Sequence, residues 1–214
     1  MSEYNLDDNI FDFCFDLALH DATLQAAYYD KLDSLNPVYD FLKDCTKNYI
    51  NAIIDTSISI DTIKTSDVIR DINSSEKIIN FNSNRDEIKQ FKYGNIQKLV
   101  NMTAKYMYIT SYKNIDLKDR FSKCDCPIDS IISKKIYDKC KDENLDFRSK
   151  EYFPELYKNS KKSIRSFFYY LSFSKISESD YLYCQEMLRD FYNATGIGPL
   201  EFDYIYWKED TSSK

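Results

Sequence analysis

The chain has 214 residues, 43% of them hydrophobic and 30% charged, with a formal net charge of −6; that is a globular composition of ordinary domain size, and it excludes a disordered or fibrous chain. Three Gly and four Pro, where average usage gives about 15 and about 11, are too few turn-formers for an all-β sandwich and predict an all-α fold. The acidic balance excludes binding of polyanions over the whole surface, while leaving room for a local basic face.

Asp7-Asp8 can cap a first helix that lines up Ile10, Phe11, Cys14, Phe15 and Ala18, and His20-Asp21 marks an expected break before a second helical run ending near Ser34. Pro37 suits a helix start and is followed by the stripe Val38, Phe41, Leu42, Cys45, Tyr49 and Ile53. Between Thr56 and Asn84 short helices and loops are expected, with Asn73-Ser74-Ser75 and Asn82-Ser83-Asn84 as connectors. A long helix starting near Asp86 carries Phe91, Ile96, Leu99, Val100, Thr103 and Met107, and a polar linker from Asp116 to Lys123 follows it. Pro127 is placed as the first residue of the next helix, Pro154 as the opening of another, and Ser177 with Asp180 as a capping pair. Gly196-Ile197-Gly198-Pro199 ends that last helix, and Leu200–Trp207 fits either a short helix or a strand. The organisation expected is one helical domain over residues 1–208, or two helical lobes around a groove within it, with a flexible tail over 209–214.

No apolar run reaches the roughly 20 residues of a membrane helix, and Met1-Ser2-Glu3-Tyr4 opens an acidic N-terminus unlike a signal peptide. The six cysteines are scattered, so reduced thiols, a cytoplasmic location and no membrane partner are expected. His20 is the only histidine, and Cys124 and Cys126 are one residue closer than zinc-binding pairs, with Cys140 as a third ligand and no fourth. No metal site is expected. No Gly-rich phosphate loop exists either, so no cofactor is expected.

Two clusters carry chemistry. Lys158, Lys161, Lys162 and Arg165 have helical spacing beside Phe167-Phe168-Tyr169-Tyr170, a candidate face for nucleic-acid phosphates or else an ordinary solvated helix face. Lys98 and Lys105 lie two helical turns apart on one helix, and Asp129 follows in Pro127-Ile128-Asp129-Ser130 near the start of the next, where a helix N-terminus favours a carboxylate. The same residues also admit a plain structural role, as a Lys98–Asp129 or Lys105–Asp129 ion pair joining two helices.

The Lys-x6-Lys helix, followed about thirty residues later by Pro-hydrophobic-Asp-Ser, resembles the archaeal-type 8-oxoguanine DNA glycosylases of the helix-hairpin-helix glycosylase superfamily. The resemblance spans about residues 97–132. It implies a DNA base-excision glycosylase with associated lyase activity, in which Lys98 is the amine nucleophile, Asp129 the assisting carboxylate and Lys105 the second lysine, with DNA as partner. Ile131 stands where related enzymes often carry a basic residue, no Gly-rich hairpin is visible, and the chain is acidic. The competing class is a non-enzymatic regulatory, host-interference or defence-related protein that binds another protein through exposed Tyr and Phe.

Overall fold

The computed structural model describes residues 6–23, 36–83, 85–87, 90–111, 113–154 and 163–211. Its first helix, α1 (Asp8–Thr23), begins where the Asp7 carboxylate accepts hydrogen bonds from the amides of Asn9 (2.9 Å) and Ile10 (3.3 Å). The expected break at His20-Asp21 does not form. Ala22 and Thr23 are buried, and the Thr23 hydroxyl donates back to the Leu19 carbonyl at 2.8 Å, so the helix continues past it. The second helical run expected before Ser34 lies outside the described residues from 24 on.

Helix α2 (Asn36–Ile54) carries Pro37 in its first turn, as its sequence suggests, and Ser75 separates α3 (Thr65–Ser74) from α4 (Glu76–Ser83). Helix α5 (Tyr93–Thr110) begins later than Asp86, since its first turn is fixed by the Asn95 side chain, which accepts from the Lys92 amide at 3.1 Å. The residues from Asp116 on, expected as a linker, form helix α6 (Ile115–Ser122) instead. Asn114 caps it by accepting from the Leu117 amide at 3.1 Å, and Phe121 anchors it in the core.

The Arg120 guanidinium of α6 then donates to the carbonyls of Ile53, Asp55 and Ile58, the last two at 2.8 Å, at and just beyond the end of α2. One planar fork thus ties three carbonyls at the end of α2 together, adding to the hydrogen bond that the Asp55 carbonyl already accepts from the Ile58 amide at 3.1 Å. Arg120→Ala is expected to cost about 2 kcal/mol, read as a lower urea midpoint with an unchanged slope. A midpoint within error of wild type would mean that water satisfies these carbonyls equally well.

Pro127 is not a helical residue. Helix α7 (Ser130–Asp142) has Asp129, in extended backbone, as its cap, and residues 125–128 in front of it belong to no helix or strand. Of the helix expected from Pro154, residues 155–162 lie outside those described, and α8 (Ile164–Tyr170) starts on the Ser163 cap. Ser177 and Asp180 form the expected reciprocal cap of α9 (Glu178–Thr195), which ends on Gly196 at φ 77°, a left-handed position that suits glycine. Helix α10 (Pro199–Thr211) settles the Leu200–Trp207 segment as helical.

All the ordered elements besides short 3-10 turns are α-helices, and no strand occurs among the described residues. Buried side chains from α1 to α10 form one continuous core. Helix α5 runs through its centre: every residue from Tyr93 to Lys105 is buried, with α1, α3, α6 and the 3-10 turn Phe173–Lys175 packed around it. A helix buried on all sides must answer for its polar residues one by one. Lys98 and Lys105 are the two charged ones. None of the described helices is long and apolar enough to cross a membrane.

Candidate active site

Helical spacing puts Lys98, Met102, Lys105, Tyr106 and Ile109 along one side of α5. They face Asp203, Tyr204 and Trp207 of α10, Pro127 and Asp129 of the segment before α7, and Asp21 near the end of α1. Together these side chains enclose a cavity of about 370 Å³, within the size range of small-molecule sites. Trp207 and Ile109 remain 43% and 40% exposed, so the cavity is bordered by surface side chains rather than sealed.

Asp129 divides its two oxygens between two tasks. Its Oδ1 accepts from the amides of Ile131 (2.9 Å) and Ile132 (3.0 Å), which starts α7. Its Oδ2 is left facing the Lys98 ammonium at 3.9 Å. That separation is long for an ion pair and leaves room for a third group to approach both. Lys98 also lies 4.4 Å from the centroid of the Phe173 ring, a cation–π contact that holds the stem of the lysine against the turn beneath it.

Lys105 does not pair with Asp129, as one sequence reading had it. Its ammonium lies 2.7 Å from Oδ2 of Asp203 and 5.0 Å from the centroid of Trp207. Burial pushes the Asp203 carboxyl up to about 6, with the Lys105 charge opposing the rise and the Asp129 charge adding to it. A carboxyl of this kind changes protonation near neutral pH, where a group that must accept and return a proton is most useful. On the α1 side the Tyr106 hydroxyl donates to Asp21, and burial followed by that carboxylate raises the phenol well above its usual range. Tyr106 stays a neutral donor.

Of the residues singled out by sequence, Lys98, Lys105 and Asp129 converge on the cavity. Arg165 does not reach it: it sits on α8 with its guanidinium 4.5 Å from the Tyr169 ring centroid. Lys158, Lys161 and Lys162 lie outside the described residues. Asp203 was missed, although it carries a readable sign: it falls on the line Leu200, Asp203, Tyr204, Trp207, where helical spacing calls for an apolar residue. Asp21, Met102 and Tyr106 carry no such sign.

The cysteines add no nucleophile here. Burial pushes the Cys14 thiol up to about 11 and those of Cys124 and Cys140 up to about 12, which keeps them protonated and unreactive. Among the described residues no three or more His, Cys, Asp and Glu gather as a metal site would require. Comparisons with protein-family models, with curated proteins and with solved structures return no match for this chain.

Proposed function

We propose that the cavity receives a nucleotide extruded from damaged DNA, and that the protein is a base-excision glycosylase with associated lyase activity. The observation that carries this reading is the approach of Lys98 and Asp129, 3.9 Å apart, within one cavity walled by Trp207, Tyr106 and Tyr204. A base taken out of the stack needs flat or apolar walls to replace its lost neighbours, and Met102 with Trp207 and Tyr106 supplies them. The resemblance of residues 97–132 to the archaeal-type 8-oxoguanine glycosylases supports the same roles.

In this reading the bond between base and sugar breaks with its electron pair leaving on the base, which takes up a proton. The positive charge that develops on the sugar is stabilised by the Asp129 carboxylate. Lys98 passes a proton to the departing base and its freed amine bonds to the sugar carbon C1′; the C1′–O4′ bond then breaks, O4′ taking up a second proton from the nitrogen, and a Schiff base results. Loss of a C2′ proton then expels the 3′ phosphate, and water releases the lysine. Asp203, 2.7 Å from the Lys105 ammonium and lining the same cavity, is the carboxyl placed to take up and return a proton.

The test is borohydride trapping on duplexes that carry an abasic site, 8-oxoguanine or other oxidised and alkylated bases. Wild type is expected to give a covalent adduct that Lys98→Gln abolishes, and Asp129→Asn to slow base release by about 10²–10³-fold. Binding is read independently from the fluorescence of Trp207, the only tryptophan. Base release without an adduct would remove the lyase step; neither product across the panel would remove the whole reading.

The protein-binding alternative has one observation of its own. Ile10, Phe13 and Leu17 on α1 are 40%, 64% and 36% exposed, at helical spacing and facing away from the core. It gains if DNA leaves Trp207 fluorescence unchanged and Phe13→Ser alters the protein's association behaviour.

A further inference from the structure

Two glutamines deep in the core treat the chain before Asp129 as a neighbouring strand would. Gln97 of α5 donates from Nε2 to the Ile128 carbonyl at 2.9 Å and accepts from the Ile128 amide at 3.1 Å. Gln185 of α9 repeats the arrangement on Cys126, donating to its carbonyl at 2.7 Å and accepting from its amide at 3.1 Å. Both glutamines, Cys126 and Ile128 are wholly buried. Pro127, between the two gripped residues, has no amide hydrogen to satisfy.

We infer that Gln97 and Gln185 are positioning residues that clamp residues 126–128 and thereby set where the Asp129 carboxylate stands. The inference rests on the proposed role of Asp129 for its catalytic part only. If the two side chains merely filled space, leucine or methionine would serve at lower desolvation cost. Only a side-chain amide offers a donor and an acceptor at the spacing of one residue's backbone. Without the clamp, four backbone groups of Cys126 and Ile128 would be buried with no partner.

The clamp also explains why Asp129 meets Lys98 in particular. Gln97 and Lys98 are adjacent on α5, so one helix fixes the carboxylate through Ile128 and presents the amine directly. On the other side, the amides of Ile131 and Ile132 hold Oδ1. Asp129 is therefore gripped before and after, and only Oδ2 is left for the cavity. Behind the clamp, Asn101 lies 3.5 Å from Gln97 Oε1 and donates to the Tyr181 hydroxyl at 3.0 Å. That hydroxyl donates to Asp125 at 3.0 Å, and Arg189 holds the same carboxylate. This buried chain ties Gln97 to α9 and back to the segment before Asp129 through the Asn101 Nδ2, while the Asn101 Oδ1 is buried without a hydrogen-bond partner among the described residues.

The experiment uses the full chain with Gln97→Met, Gln185→Met and, should either fail to fold, Gln185→Glu. The first readout is the carbon-13 titration of the Asp129 carboxyl. Its midpoint is expected to move in each glutamine variant and to stay put in Arg120→Ala, which loses stability at a distance. A midpoint unchanged in folded glutamine variants overturns the clamp whether or not the wild type is an enzyme. The second readout is single-turnover base release. Gln97→Met is expected to be slowed roughly 10–100-fold, as misplacement by about 1 Å costs near 10²-fold. Adding Asp129→Asn should then give a double variant no slower than Asp129→Asn alone. Multiplying losses would overturn action through Asp129. A wild type without base release or adduct defeats the proposed function, and the carboxyl titration still decides the clamp.

Discussion

Lys105→Met is expected to destabilise the protein by about 3–5 kcal/mol at pH 8, the usual penalty for removing one partner of a buried ion pair. Asp203 is 1% exposed, and Lys105 is the cation that lies 2.7 Å from its Oδ2. Burial raises the carboxyl from 3.8 to about 6 even with that cation present. In the unfolded chain the same group loses its proton near its ordinary value. Between about pH 4 and pH 6 the folded state therefore holds a proton that the unfolded state has released. Linkage then makes stability fall as pH rises through that window, by about 3 kcal/mol in total. Removing Lys105 pushes the folded value higher still and extends the loss into the alkaline range. The penalty of Lys105→Met should accordingly be largest at pH 8 and shrink toward pH 5, where Asp203 is protonated with or without its partner. Adding Asp203→Leu should recover most of the loss and flatten the pH dependence. Urea unfolding at the two pH values decides it, and an equal penalty at both would mean that Lys105 stabilises through packing of its stem alone.

The same pair shows what a sequence does and does not display. Lys98 and Lys105 are legible because two turns of one helix keep them on one side, and Asp129 because a carboxylate is favoured near a helix start. The start itself is misread: Pro127 resembles the first helical residue, whereas Gln97 and Gln185 bind the backbone on either side of it and Asp129 caps the helix from outside. That signal lies in α5 and α9, far from Pro127 in the chain. The partner of Lys105 was unreadable for a similar reason. Asp203 reaches it only because α10 packs beside α7 and against the cavity wall. Helices α2 and α9 are legible from period and caps alone, as local physics dictates their ends. Helix α6 is not. Its composition is that of a linker, and what makes it a helix is the Asn114 cap, the burial of Phe121 and the grip of Arg120 on the end of α2. Tertiary bonds override weak propensity there.

Gly94→Ala is expected to reach from packing to chemistry. A Cβ at Gly94 would stand 1.6 Å from the carbonyl oxygen of Phe173 and 2.7 Å from its carbon, so α5 and the Phe173–Lys175 turn meet backbone to backbone. Neither atom belongs to a flexible side chain, and the turn as a whole must move. Overpacking of this kind costs about 3 kcal/mol, and the better helix propensity of Ala returns about 1 kcal/mol, leaving a net loss near 2 kcal/mol. On the proposed lyase role of Lys98 the functional consequence is larger, because the displaced turn carries the ring that lies 4.4 Å from the Lys98 ammonium one helical turn along α5. Shifting that ring changes where the amine rests, and a misplacement of about 1 Å costs on the order of 10²-fold in rate. Gly196→Ala supplies the contrast. It meets no atom within 4 Å and strains only a left-handed φ of 77°, at a cost of about 1–2 kcal/mol. Equal stability loss with adduct formation impaired in Gly94→Ala alone would tie the effect to Lys98. Equal impairment in both would assign it to global loosening of the fold, and the close approach at Gly94 would then have no special bearing on the amine.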